Sequence, residues 1–537
     1  MITLAAADTN AMVAKLATLW PELVLLIAAF LSMILGLSSS RLIRRATVLL
    51  VGASLVIAAL IVIFCNQNAD PSAMDLFVKY IKLAVCGIGL LLLFTAVELP
   101  DESGAEPAHG RSFDPANVSR GEFFGFFLLS LIGVMLCAGA DDLIWLFLAL
   151  ELTSLPTYVM VATSRRNAIA QEAGVKYFFL GAMAAAVFLY GFALLYGATG
   201  STQLRDIHAT FAHSGVSDLA LLGLVLAIVG VCFKIAAVPM HAYTADVYQG
   251  AATPVTAFLA FVPKAAGFVT LIILLMLVGW PLSDIDNGHA LMWLLWSLAV
   301  ITMFFGNTAA LLQTNVKRVL AYSSIAHSGY MLVGLTVGVG STGDPIIRNG
   351  LAALLFYLVA YGVMNVGAFA VIGVLKRRGE DAETFEDLHG LSRRNPAMAA
   401  VLALCVLSLA GVPPLVGFWG KFFLVGAAIT GGFPWLAVIV VINSAIAAAY
   451  YLRIIRAAYL VEPTPDSAVE FAPRPWRGLS AGLAGIIVLL LSLFAWPLAD
   501  QANRATPAEP SGAMQRGETP TTDQLAQRSP SFNRVSN

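Results

Sequence analysis

Apolar residues fall into fourteen blocks along the chain, at 17–37, 46–65, 77–98, 121–139, 142–163, 169–197, 219–240, 252–279, 290–311, 317–339, 347–375, 397–430, 434–460 and 478–498. A helix crosses the hydrocarbon core of a bilayer with about 20 mainly apolar residues. Each block therefore predicts one span, and together they predict an all-α polytopic membrane protein of about 14 transmembrane helices. Two blocks are interrupted: the seventh by Pro239, the twelfth by Gly411-Val412-Pro413-Pro414. Proline removes a backbone donor and its ring clashes with the preceding turn, so helices 7 and 12 are expected to be broken, the seventh just after Lys234. Spans 4–8 and spans 9–13 each hold the broken helix fourth of five. Five is odd, so the second unit enters the membrane upside down relative to the first. Many transporters are built on such inverted repeats, with the broken helices marking the ion path.

The expected division is a three-helix segment and polar loop at 1–120, a first five-helix repeat at 121–279, a second at 290–460 and a last transmembrane helix within 461–499. A polar tail at 500–537, rich in Pro, Ser, Thr, Gln and Glu, is expected to be disordered. The stretch 376–396 reads as a charged loop of mixed sign.

Composition narrows the class. Only 12% of the 537 residues are charged, 59% are hydrophobic and the mean hydropathy is +0.83. Ordinary proteins carry about 25% charged residues. A disordered chain and a secreted disulfide scaffold are excluded, and a net charge of −1 leaves no basic surface for a nucleic acid. Cys65, Cys86, Cys137, Cys232 and Cys405 lie in or at the edge of apolar stretches, with no Cys-x-x-Cys pair. They read as small buried hydrophobes rather than metal or iron–sulfur ligands.

The charges that remain sort into two groups. With the N-terminus outside, the inward loops hold eighteen Lys and Arg, among them Arg41, Arg165, Lys317, Lys376 and Arg453. The outward loops between helices hold only Arg205 and Arg348. That bias fixes orientation and places both termini outside, which needs an even number of spans. Six lysines lie inside spans: Lys79, Lys82, Lys176, Lys234, Lys264 and Lys421. No arginine is read deep in a span. A lysine can exchange its proton where a guanidinium cannot.

Ionisable groups at membrane depth are costly and are functional candidates by default. Glu151 sits mid-helix in DDLIWLFLALELTSLPTYVM and reads as the only acidic residue deep in the core; the alternative is a structural carboxylate. Lys234 precedes Pro239, Lys264 follows Pro263, and Lys421 follows the Pro413-Pro414 break. His327, near Ser323 and Ser324, is either a hydrogen-bonded packing residue or a relay. Lys176 either snorkels to the interface or joins the path, while Lys79 and Lys82 read as snorkellers. A carboxylate beside a lysine stabilises the ammonium, and its withdrawal drives the proton off. Glu151–Lys234 would be the switch, Lys264 the middle relay and Lys421 the exit. Neither a dinucleotide fingerprint after a strand nor a haem ligand pair is evident.

The strings LALELTSLPTYV, EAGVKYFFLGAMAAAVFLYG, FKIAAVPMHAYTADVYQGAATPVTAFLAFVPKAAGF, VKRVLAYSSIAHSGYMLVG and GVPPLVGFWGKF resemble the antiporter-like membrane subunits of respiratory complex I over roughly residues 15–460. Of these the subunit N type is the most similar. Lys421 stands where the M type carries a glutamate, and the long lateral helix of the L type is not expected. The resemblance implies a proton channel in the membrane arm of an NADH:quinone oxidoreductase. Glu151, Lys234, Lys264 and Lys421 match the family's pumping residues, and His327 falls in the polar axis between half-channels. It implies no cofactor in this chain; NADH, FMN, iron–sulfur clusters and quinone would be bound by partner subunits. The neighbours would be subunit M-like and subunit K/J-like chains, in a bacterial inner membrane. Two other readings share the features: a subunit of a multi-subunit cation/proton antiporter or membrane-bound hydrogenase, and a scaffold whose buried charges only hold helices in register.

Overall fold

A computed structural model describes residues 18–38, 40–65, 72–98, 120–165, 168–340, 344–377, 380–462, 469–471 and 474–506. The helices, in order, are α1 (Trp20–Gly36), α2 (Arg41–Phe64), α3 (Ala73–Ala96), α4 (Arg120–Ala138), α5 (Leu143–Thr163), α6 (Ala168–Thr199), α7 (Leu204–Ser214), α8 (Asp218–Cys232), α9 (Thr244–Gly250) and α10 (Thr253–Met276). They continue as α11 (Gly288–Leu311), α12 (Val316–Val337), α13 (Gly350–Val374), α14 (Pro396–Ala410), α15 (Val416–Thr430), α16 (Pro434–Tyr459), α17 (Pro475–Leu493) and α18 (Ala495–Arg504).

Among the described residues, ten helices are individually long and apolar enough to cross a membrane. The short α1, the more polar α12 and the two broken helices, α8/α9 and α14/α15, stand where the other four of the fourteen expected spans are read. The five crossings α4, α5, α6, α8/α9 and α10 are answered by α11, α12, α13, α14/α15 and α16, with the broken member fourth in each run. Helix starts carry side-chain caps for their orphan N–H groups: Asp142 on α5, Ser217 on α8, Asn315 on α12, Asn349 on α13 and Asn395 on α14.

A helix that is apolar all round belongs inside a bundle, and two helices do so here. Every residue from Thr253 to Leu275 of α10 is buried, as is nearly all of α13. The outward faces of α2, α6 and α16 expose Leu49, Phe179 and Trp435 to the lipid position. The amphipathic α7 buries Ile207 and Phe211.

Both breaks have local causes. In the first, α8 ends at Cys232, so Lys234 lies within the break rather than before it, and Ala236 takes a left-handed φ of 56°. In the second, Gly411 at φ 88° closes α14, its N–H bonded to Leu407 O at 3.1 Å; only glycine adopts this cap without a Cβ penalty. Gly417 then lets α15 pack back onto α14, since a Cβ there would lie 1.8 Å from Ser408 O.

Several expectations are corrected. The stretch 376–396 is not all loop: strands β1 (Leu375–Arg377) and β2 (Glu380–Asp381) join β3 (Val469–Phe471) in a small antiparallel sheet of order β2-β1-β3. The expected tail at 500–537 begins as helix, because α18 runs to Arg504; residues 507–537 and the polar loop at 100–118 lie outside the described residues. Lys317, expected in a loop, is fully buried. It donates to Ala251 O at 2.6 Å and pairs with Glu383 at 3.2 Å, which also takes Arg165 at 2.5 Å. Arg477 is buried too, donating to Thr95 O and Gly373 O at 3.0 and 2.7 Å and so tying α3, α13 and α17 together.

The close seating of α15 on α14 yields a test. Gly417→Ala should sharply lower the amount of chain that survives heating in detergent, read by size-exclusion chromatography. Gly482→Ala, where a Cβ meets nothing within 4 Å, should be neutral or slightly stabilising, as alanine is the better helix former.

Candidate functional site

The first candidate pair is set by α5 and the break after α8. Glu151 Oε1 lies 3.3 Å from Lys234 Nζ, with the side chains 18% and 2% exposed. Lys234 also donates to Ser154 Oγ, three residues along α5 from Glu151 and therefore on the same helix face. The break can approach α10 this closely because residue 267 is glycine: a Cβ there would lie 2.6 Å from Ile235 Cγ2 and 3.0 Å from Lys234 Cβ.

Lys264 sits on α10, three residues before Gly267. Its Nζ donates to Ile235 O at 2.7 Å, Ser324 O at 2.9 Å and Ser328 Oγ at 2.5 Å. An ammonium has three N–H donors, so all three are used. Ile235 O is available because it lies in the break, where no helical N–H claims it. Ser328 Oγ donates to the same carbonyl at 2.5 Å. Lys234 and Lys264 are thus joined through one residue of main chain.

From Lys264 the polar row continues along α12. Ser324 Oγ accepts from Tyr361 OH at 2.7 Å and lies 3.2 Å from Tyr248 OH. His327 is flanked by two phenols, with Nδ1 2.8 Å from Tyr357 OH and Nε2 2.9 Å from Tyr451 OH. Tyr451 OH also meets Ser323 Oγ. A neutral imidazole has one donor and one acceptor nitrogen. One phenol therefore donates to the ring and the other accepts from it, and reversing the tautomer reverses both bonds. That is the geometry of a proton wire.

Lys421 ends the row, on α15. Its Nζ donates to Ala410 O at 2.9 Å, the carbonyl at the last residue before the second break. It lies 4.7 Å from the centroid of the Tyr330 ring, a cation–π contact that suits a desolvated ammonium. Gly411 gives it room, since a Cβ there would stand 3.0 Å from Lys421 Cδ. Each break therefore turns a carbonyl toward a lysine: Ile235 O to Lys264, Ala410 O to Lys421.

Lys176 lies apart from this row. Its side chain is 43% exposed and pairs with Glu172 at 2.7 Å and Asp246 at 3.1 Å, and Asp246 also takes Arg318 at 2.8 Å. These residues form an ion cluster at the end of the bundle that carries the basic loops. Lys82 does not snorkel: it is 3% exposed, pairs with Glu22 at 2.7 Å and donates to Thr18 O at 2.9 Å. Glu151 is therefore not the only buried acid. Glu22 escaped notice because it stands directly after Pro21, at the very start of its span, where an acid usually caps a helix.

A second polar patch carries no charge that would mark it in the sequence. Asn307 donates to Tyr330 OH at 3.0 Å and to Asn443 Oδ1 at 3.1 Å, and accepts from Tyr450 OH at 3.0 Å. The signal was a single uncharged asparagine in each of spans 9 and 13, which a search for ionisable groups passes over.

Residues 140–447 match a family model described as NADH:quinone oxidoreductase/Mrp antiporter, transmembrane. NADH-quinone oxidoreductase subunit N from Alkalilimnicola ehrlichii is 37% identical over 482 residues, covering 88% of this chain and 93% of the relative. A chain of respiratory complex I from Thermus thermophilus superposes with a TM-score of 0.71 at 31% identity, covering 90% of this chain and 99% of that one. A chain of the Mrp complex from Dietzia has a TM-score of 0.74 at 21% identity, over 93% and 98% of the two chains, and shares the fold. By its sequence relatives and by the family model, the chain belongs to the NADH-quinone oxidoreductase subunit N family.

Proposed function

We propose that this chain is a proton-translocating subunit in the membrane arm of an NADH:quinone oxidoreductase, moving protons along Glu151, Lys234, Lys264, His327 and Lys421. The observation that carries the reading is the Glu151–Lys234 pair joined to Lys264 through Ile235 O. Subunit M-like and subunit K/J-like chains would flank it. NADH, FMN, the iron–sulfur clusters and quinone would be held by partner subunits. The setting is a bacterial inner membrane with both termini on the outer side, as the loop charges direct.

The chemistry follows from burial. Lys234 keeps its proton while Glu151 compensates the ammonium in a low-dielectric surround. When Glu151 swings away, Ser154 alone cannot compensate the charge, and the proton leaves for the next site. Lys264 receives it where two carbonyls and a hydroxyl are already aimed at its nitrogen. Tyr361, Ser324 and the Tyr357–His327–Tyr451 run offer hydroxyl and imidazole stations beyond it, and Lys421 releases the proton at the second break. Lys176, in the exposed ion cluster, helps hold α9 in place through Asp246 rather than carrying protons.

Three outcomes are expected in membranes holding the assembled complex, measured by quenching of a pH-sensitive dye during NADH oxidation. Lys234→Ala or Glu151→Ala should lower proton translocation by about tenfold or more, the scale of a lost acid–base group, with the complex still assembled. Normal pumping in an assembled Lys234→Ala complex would sink the relay. Ser328→Ala removes one of three acceptors from Lys264, a bond to a charged group worth about 1.5–3 kcal/mol; it should slow translocation less than Lys264→Met does. Lys421→Arg keeps the charge but holds its proton, so it should impair transfer nearly as much as Lys421→Met, and full activity would count against an exit role.

A further inference from the structure

Away from the lysine row, a cavity of about 600 Å³ opens at the end of the bundle opposite the basic loops. That volume is within the roughly 300–1,000 Å³ range of ligand sites. Its wall is mostly apolar, with Met74 from α3, Leu204 from α7, Ile273 and Met276 from α10, and the Trp280 ring. Four polar side chains share the lining: Asp141, Gln203, Arg205 and His208.

The Gln203, Trp280 and His208 side chains on this lining are committed to other groups of the chain. The Gln203 amide donates to Asp142 Oδ2 at 2.9 Å, the Trp280 indole N–H to Leu335 O at 3.2 Å, and His208 Nδ1 lies 3.1 Å from Leu277 O. The exposed Arg205 guanidinium has neither an ion pair nor a hydrogen bond among the described residues. The main chain just before Arg205 is tied to that of Asp141, since Leu204 N donates to Asp141 O at 2.9 Å. Asp141 has a partner of its own, and because a carboxylate offers about four lone-pair sites it can take a further donor. The cavity thus combines an apolar body with one cation and one anion on its lining. Trp280 adds the amphipathic ring favoured at membrane–water interfaces.

We infer that this cavity is a binding site for a zwitterionic aminophospholipid. An acyl chain fills the apolar body, the phosphate meets Arg205 in a charge-assisted contact, and the primary ammonium of the headgroup meets Asp141. A choline headgroup has no N–H to donate to Asp141, and a glycerol headgroup brings no cation. Selectivity for phosphatidylethanolamine over phosphatidylcholine and phosphatidylglycerol follows.

The test uses the assembled complex in vesicles containing phosphatidylethanolamine with a photoreactive diazirine in one chain, with labelled peptides mapped by mass spectrometry. Labelling of residues 273–280 is expected. Excess unlabelled phosphatidylethanolamine should suppress it, and phosphatidylcholine or inorganic phosphate should not. Arg205→Gln should lower labelling about tenfold, the scale of one lost charged contact, and Arg205→Lys should retain most of it. Asp141→Asn should erase the preference over phosphatidylglycerol while labelling persists. Absence of labelling at 273–280, equal labelling by the choline probe, suppression by phosphate alone, or an unchanged Arg205→Gln complex would each overturn the assignment. Quinone reduction by each variant complex, expected to be unchanged, confirms that the labelled complexes are assembled.

Discussion

In hydrocarbon, a backbone carbonyl that loses its helical partner has no water to turn to, and the irregular segment survives only where protein satisfies it. That constraint organises this molecule. Two helices break near proline, and each break releases a carbonyl into the interior, Ile235 O and Ala410 O. The groups that satisfy them are lysine ammoniums, Lys264 and Lys421. The exchange is mutual, because a buried ammonium without acceptors would itself be strongly unfavourable. Helix breaks and buried lysines therefore stabilise each other, with Ser328 Oγ as a second donor to Ile235 O.

The same requirement explains why the central helices look as they do. α10 and α13 are enclosed on all sides, and Lys264, Tyr357 and Tyr361 on them turn to α12, Lys264 also to the first break. Hydroxyls and an imidazole fill the stretch between the two breaks, where a further fixed charge would have needed its own compensation. Tyr357 and Tyr451 on opposite nitrogens of His327 keep that stretch neutral while leaving two equivalent hydrogen-bond arrangements. Glycines at 267, 411 and 417 supply the close approaches.

Much of this was legible in the sequence because its signals are local. Proline and glycine interruptions announced both breaks, hydropathy announced the spans, and Glu151, Lys234, Lys264 and Lys421 stood out as charges among apolar neighbours. What was not legible depended on distance along the chain. Glu22 and Lys82 are sixty residues apart, and each alone looks like a helix-end residue; only packing of α1 against its neighbours buries them as a pair. Lys317 reads as a loop cation until Glu383 and Ala251 O are seen to enclose it. Asn307 and Asn443 carry no charge, so nothing in their local sequence marks them as partners. For Lys176 the sequence leaves snorkelling and membership of the path equally open, because depth along the chain does not report which face of α6 it occupies; its pairs with Glu172 and Asp246 place it in the exposed ion cluster.

Lys264 links the Glu151–Lys234 pair to the polar row of α12, and the proposed proton path runs through it. The most direct measurement is the number of protons translocated per NADH oxidised by the assembled complex carrying Lys264→Met, which keeps the side chain's bulk and removes its proton. The expected result is fewer protons per NADH, or coupled turnover slowed in proportion, with electron transfer to quinone intact once the proton gradient is collapsed. An unchanged ratio at an unchanged coupled rate would contradict it.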